Sequence, residues 1–248
     1  PGVYEAAIAH DTVLAAADKA VLFKSGVKEI AAKYGILASF MAKWNAQLPG
    51  CSGHVHQSIW DENGQNNLFA DASKPTGIST LMQQYMAGQL HCLPHILPMY
   101  APTTNSYKRL VTGAWAPTTV SWGFDNRTTA IRALAPYTKA TRVELRVPGS
   151  DSNPYLAMAA ALASGLYGIV NKLELKMPAT TGNAYVQQDL QPLPASLETA
   201  TLAMQQSSIA HELFGEKFVQ HFTQTRMHEC AQINIVDADW ELKRYFEI

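Results

Sequence analysis

The chain is short of most features that mark secreted, membrane or nucleic-acid-binding proteins. Its three cysteines, Cys51, Cys92 and Cys230, are odd in number, widely spaced and in no CxxC pairing, so neither a disulfide framework nor a zinc site is indicated. No apolar run approaches the ~20 residues of a membrane-spanning helix, and no signal peptide is visible. An excess of one charge sign is also missing. The 19 lysines and arginines offset 20 acids, leave a net charge of -1 and form no basic patch, so any bound nucleotide is expected to be small rather than polymeric. Internal repeats and low-complexity runs are absent. These absences fit a reducing cytoplasm and a chain with neither nucleic acid nor membrane as partner.

What is present is an ordinary hydrophobic fraction of 47% in 248 residues, enough for one large domain or two small ones. The chain opens on Pro1 without a methionine, directly into strand-like sequence over 3–8 in which Glu5 is the single carboxylate. The expectation is a fragment whose upstream part is missing. Asp11 then reads as an N-cap, and Val13, Leu14, Ala17, Val21, Val27 and Ile30 recur at helical spacing until Gly35 stops the helix. Strands are predicted over 36–44 and 52–60 around the Pro49-Gly50 turn, which places Glu5 and the second of these in one sheet if that sheet is antiparallel. A helix over 79–93 ends near Pro94, and a short helical piece sits around Tyr107. Strands at 121–125, 128–133 and 141–146 precede an alanine-rich helix from Asn153 to about Lys172. The segment 173–194 reads as loop, and helices over 196–206, 215–231 and 237–246 close the chain.

The stretch 141–146, TRVELR, carries the first chemical signal. Alternation puts Arg142, Glu144 and Arg146 on one face and Val143, Leu145 and Val147 on the other. Two guanidiniums around one carboxylate can hold an anion while the acid holds a cation, the charge arrangement that handling a nucleotide triphosphate requires. The plain alternative is a solvated strand face with ion pairs. Upstream, GHVHQS sets His54, His56 and Ser58 on one strand face, able to meet a metal or a phosphate, or simply to be a pair of hydrogen-bonded structural histidines. With Glu5 and Glu144 on the same sheet face, an oxygen-rich site with an imidazole favours magnesium or manganese over zinc. Five guanidiniums, Arg109, Arg127, Arg132, Arg142 and Arg146, fall within mostly apolar strand sequence, with Lys139 beside them. That density points to anion binding.

Taken together, PGVYE at the start, KSGVKEIAAKYGILASFMAKW, SGHVHQS, PTTNSYKRLV, DNRTTAIR and TRVELRVPGSDSNPYLAMAA resemble, in order and spacing, the catalytic domain of the glutamine synthetase superfamily. The resemblance runs from Pro1 to about Lys172, with a family-like helical tail after it. It implies an α+β fold, guanidino-kinase-like, with a curved and mainly antiparallel sheet flanked by helices. Residues 1–248 would form one catalytic domain lacking the N-terminal β-grasp domain, with 173–248 as its loop and helical C-terminal part.

The resemblance also implies a reaction and its residues. ATP phosphorylates the side-chain carboxylate of glutamate, and an amine then displaces phosphate, with two or more magnesium or manganese ions per complete site. Glu5 matches a ligand of one ion, and His54 and Glu144 match ligands of a second. His56, Ser58, Arg132, Lys139 and Arg142 match nucleotide contacts. Arg109 and Arg146 match the groups that hold glutamate, Gly50 a backbone contact to it, and Arg127 the stabiliser of the phosphoryl in flight. A ring-forming homo-oligomer is implied for the full-length protein, and the fragment alone is expected to be inactive.

Two positions depart from the family pattern. Trp115 stands where ammonia-using members carry a flap glutamate, and Val3 replaces the usual glutamine beside the metal-binding Glu5. An indole cannot act as a general base, but its face packs alkyl groups or attracts a cationic amine. The expectation is a γ-glutamyl-amide ligase that takes an organic amine. A true glutamine synthetase, or a relative that kept the fold without the chemistry, are the alternatives.

Overall fold

The computed structural model describes residues 2–136, 138–233 and 239–248. Its centre is a four-stranded sheet of β1 (Val55–Gln57), β2 (Trp122–Phe124), β3 (Ile131–Leu134) and β4 (Arg142–Leu145), in the order β1-β4-β3-β2. β4 pairs antiparallel with both β1 and β3, with His56 opposite Glu144 and Arg132 opposite Glu144 on its two sides. β2 and β3 run parallel. Parallel neighbours ordinarily need a long crossover, yet the link here is only 125–130. Asp125 turns the chain at φ 47, and Asn126 Oδ1 accepts from both the backbone N–H and the hydroxyl of Thr128.

The alternation read in TRVELR decides which face is core. Ile131, Ala133, Val143, Leu145 and Val147 are buried and join one hydrophobic cluster with Tyr85, Met86, Leu93, Ala157 and Ala161. Those partners come from α2 (Thr80–Ile96) and α4 (Pro154–Val170). Ser79 and Asn153 cap the two helices with side-chain acceptors. The helices cross at glycines: a Cβ on Gly88 would lie 2.3 Å from the carbonyl oxygen of Ser164 and 2.5 Å from the nitrogen of Gly168. Around this platform stand α1 (Val13–Lys33), α3 (Ser106–Arg109), α5 (Leu197–Gln206), α6 (Ser208–Phe214), α7 (Glu216–Ile233) and α8 (Trp240–Tyr245). No helix among the described residues is long and apolar enough to cross a membrane.

Several expectations need correction. The segment 3–8 forms no strand and lies outside the sheet, with Tyr4 92% exposed, because its alternation finds no partner strand in this chain. The segment 36–44 is likewise irregular, and of 52–60 only Val55–Gln57 joins the ladder. α2 continues through Pro94 to Ile96, and the N-cap position of α1 is Thr12 rather than Asp11; the Thr12 side chain makes no capping bond, and its N–H donates to Asp11. α6 was not expected; Ser207 caps it and Gly215, at φ 79, ends it. The start of the predicted helix at 237 lies outside the described residues.

Candidate active site

The face of the sheet opposite the core is where the predicted residues meet. Glu144, only 2% exposed, is the hub. Its Oε1 accepts from Arg146 Nη1 at 2.6 Å and lies 3.1 Å from His54 Nδ1, and its Oε2 accepts from Arg132 Nη1 at 2.8 Å. His56 Nε2 stands 4.0 Å from the same carboxylate, and its Nδ1 accepts from Arg142 Nε at 3.1 Å. The two histidines therefore share a face, as their spacing predicts. Burial alone would raise the Glu144 pKa; the hydrogen bonds from His54 and Arg132 and the charge of Arg146 overcome it and hold the carboxyl well below its usual range.

Burial pushes the His54 pKa down against the pull of Glu144, which favours the neutral ring. With Nδ1 donating to the carboxylate, the lone pair rests on Nε2, which is buried and has no hydrogen-bond partner. Nε2 faces away from the carboxylate, and the pair of atoms with the spacing to share one cation is Nδ1 and Glu144 Oε1.

Arg132 is shared between Glu144 and Asp125, the latter gripped by both Nε and Nη2. Asp125 was visible in the sequence only as a turn residue. Arg146 is 4% exposed and ties the sheet to two loops, donating from Nε to the carbonyl of Arg127 and from Nη2 to that of Trp115, both at 3.1 Å. Trp115 itself is strained, at φ 53, with a side chain 64% exposed. The next carbonyl, of Ala116, accepts from the Tyr185 hydroxyl at 3.0 Å. The loop that carries Tyr185 is held in turn by Asn126, which donates to Thr180 and Gly182. Sequence reading passed over Tyr185, because nothing in a loop from 173 to 194 marks a contact with residue 116.

Gly50 and Arg109 are brought together beside this face. A Cβ on Gly50 would fall 2.7 Å from Arg109 Cγ, and Arg109 donates to Ser52 Oγ at 3.1 Å and to the carbonyl of Val147. Burial pulls the Arg109 pKa down to about 10, and the charge of Arg146 works in the same direction. The structure holds Arg127, Ser58 and Lys139 on exposed backbone at the margin, where Ser58 Oγ accepts from Trp60 and the carbonyl of Lys139 accepts from Asn67. Glu5 is not brought in: it is exposed on the irregular N-terminal segment, which lacks the strand that would have aimed it at the sheet. Among the described residues no three His, Cys, Asp or Glu side chains are arranged to hold a metal ion.

A face of arginines around one carboxylate and two histidines carries the charges to meet both anions and cations, and the chain's relatives say of which lineage. Residues 1–245 match the family model of the glutamine synthetase catalytic domain. The chain belongs to this family. It is 53% identical over 251 residues to type-1 glutamine synthetase 2 of Dictyostelium discoideum, covering 100% of this chain and 48% of that protein. It is 46% identical to the glutamate–isopropylamine ligase of a Pseudomonas species, covering 100% of this chain and 54% of the relative. A solved GmaS/ADP complex superposes with a TM-score of 0.81 at 32% identity, over 95% of this chain and 55% of that one. The chain thus spans about half the length of the curated relatives it matches. The α+β architecture expected from the sequence is the one the family members share.

Proposed function

We propose that this domain serves an ATP-dependent ligase that joins the side-chain carboxylate of glutamate to an organic amine. Phosphoryl transfer from ATP would form γ-glutamyl phosphate, and attack by the amine would expel phosphate and leave the γ-glutamyl amide. The residues of the sheet face and its margin would divide these tasks. Arg132 and Arg142, with His56, Ser58 and Lys139, face the nucleotide side. Arg109, Arg146 and the Gly50 backbone hold the amino acid, and Arg127 offsets charge on the phosphoryl group.

A divalent ion, magnesium or manganese, fits between His54 and Glu144, whose Nδ1 and ionised Oε1 lie 3.1 Å apart, the separation of two neighbouring ligands on one ion. Such an ion, when bound, neutralises phosphate charge. The other ion, assigned to Glu5, has no counterpart in the position that residue takes here. Full-length protein in a ring-forming homo-oligomer would complete the site.

The single observation that carries the amine assignment is Trp115. Its carbonyl is fixed by Arg146, and an indole stands where an acid would be needed to bind ammonium and take its proton. Relatives named glutamate–isopropylamine ligase and γ-glutamylethanolamide synthetase support this reading. Use of ammonia is favoured by the 53% identical relative named a glutamine synthetase. Replacing Trp115→Glu in the full-length protein separates the two. The expected result is a kcat/KM ratio of ammonium to alkylamine raised by on the order of tenfold; an unchanged ratio contradicts a role for the indole in amine choice.

A further inference from the structure

Arg109 is a fully buried guanidinium, 1% exposed, and both acceptors it reaches, Ser52 Oγ and the carbonyl of Val147, are neutral. Its Nε is buried without a partner. A cation in such a place needs a counter-charge, because an uncompensated buried charge costs several kcal/mol. The neighbouring Arg146 only adds repulsion.

The counter-charge comes from the turn between β4 and α4. Asp151 is 4% exposed, and its Oδ2 accepts from Ser106 Oγ at 2.5 Å and Thr103 Oγ1 at 2.8 Å. Those hydroxyls flank the start of α3, the one-turn helix that ends in Arg109. The other oxygen, Oδ1, is buried and unpartnered, like Arg109 Nε. Both atoms border one point: a Cβ on Gly149 would stand 2.2 Å from Asp151 Oδ1 and 3.5 Å from Arg109 Nε. Gly149 thereby leaves room for the two to face each other, and its isolated bridge to Ser52 brings in the residue that accepts from Arg109. The other charged or polar groups in the field of Asp151 are Lys24, which donates to the Ser150 carbonyl at 2.9 Å, Cys51, and Tyr107 of α3.

We propose that Asp151 is the positioning residue of Arg109: it holds the start of α3 and, through its charge, fixes the guanidinium in the orientation that a substrate carboxylate meets. The substrate in this statement rests on the function proposed above; the pairing does not. Asp151 touches no reacting atom, and its effect is on amino-acid binding.

The test uses full-length protein. Asp151→Asn keeps the shape and an acceptor for the two hydroxyls but removes the charge. The expected result is a KM for glutamate raised about tenfold, with the KM for ATP unmoved and kcat changed far less. A glutamate KM within about twofold of the parent, in folded D151N protein, overturns the proposal. If D151N does not fold, Ser106→Ala is read in the same way: a glutamate KM raised severalfold supports it, and an unchanged one overturns it. A thermal-unfolding cycle of Arg109→Gln, Asp151→Asn and the double variant needs no activity at all. Pairing predicts that the double variant loses less than the sum of the singles, and additivity overturns it. A parent protein with no glutamate-dependent phosphate release would sink the functional reading while leaving this cycle decisive for the pair.

Discussion

Arg146 donates to Glu144 at 2.6 Å from two residues along the same strand face, and Arg132 reaches that carboxylate from the neighbouring strand at 2.8 Å. One acid therefore pairs with two guanidiniums, and Arg132 takes a second carboxylate from Asp125. Replacing Glu144→Ala leaves the buried Arg146 without a carboxylate and Arg132 with Asp125 alone, so the loss of stability is expected to be on the order of 3–5 kcal/mol. Urea unfolding of the variant measures it; a loss under about 1 kcal/mol would mean the pairs are no stronger than surface ones.

Acid should weaken the fold through the same cluster. Burial keeps native His54 below its ordinary 6.5, so as pH falls the unfolded chain takes up that proton first. The stability contributed is present in full above pH 6.5 and is lost as pH falls through the native value. Glu144, held far below its ordinary 4.5, acts with the same sign: its contribution is present above 4.5 and is lost on further acidification. His54→Asn should flatten the dependence of the urea midpoint on pH between about 7 and 5 in buffers free of divalent cations. An unchanged slope would show that His54 does not titrate in that window.

Close helix contact makes a third expectation. Gly88 has backbone of α4 at 2.3–2.5 Å from where its Cβ would be, and backbone cannot rotate away. Gly88→Ala should destabilise by about 1–3 kcal/mol or more. Thermal unfolding checks it, and a melting temperature equal to the parent's would mean that the two helices part without cost.

Much of this cluster was legible beforehand because strand periodicity fixes faces. Arg142, Glu144 and Arg146 had to share a side once TRVELR was read as a strand, and Val143, Leu145 and Val147 had to be core. Asn153-Pro154 likewise announced α4, since its cap and first-turn proline are local chemistry. What needed coordinates was long-range. Alternation at 3–8 and 36–44 looks the same with or without a partner strand, and the side-chain period does not encode whether β2 and β3 run parallel. Nothing local marks Asp151, and only its burial against Thr103 and Ser106 shows that it is part of the packing. The Tyr185–Ala116 contact spans two loops and leaves no periodic trace.

The 3.1 Å spacing of His54 Nδ1 and Glu144 Oε1 predicts a ligand-binding result. Titration of manganese with a non-hydrolysable ATP analogue into full-length protein should give measurable heat, and His54→Ala should weaken manganese binding by about tenfold or more. No binding by the parent would favour a relative that kept the fold without the chemistry.

The most direct test of the central claim is a panel of amines assayed on the full-length protein, with glutamate and ATP held constant and phosphate release as the readout. At least one organic amine, drawn from monoamines, ethanolamine and polyamines, should be used with a clearly higher kcat/KM than ammonium. Turnover with ammonium as efficient as with every amine in the panel would contradict it.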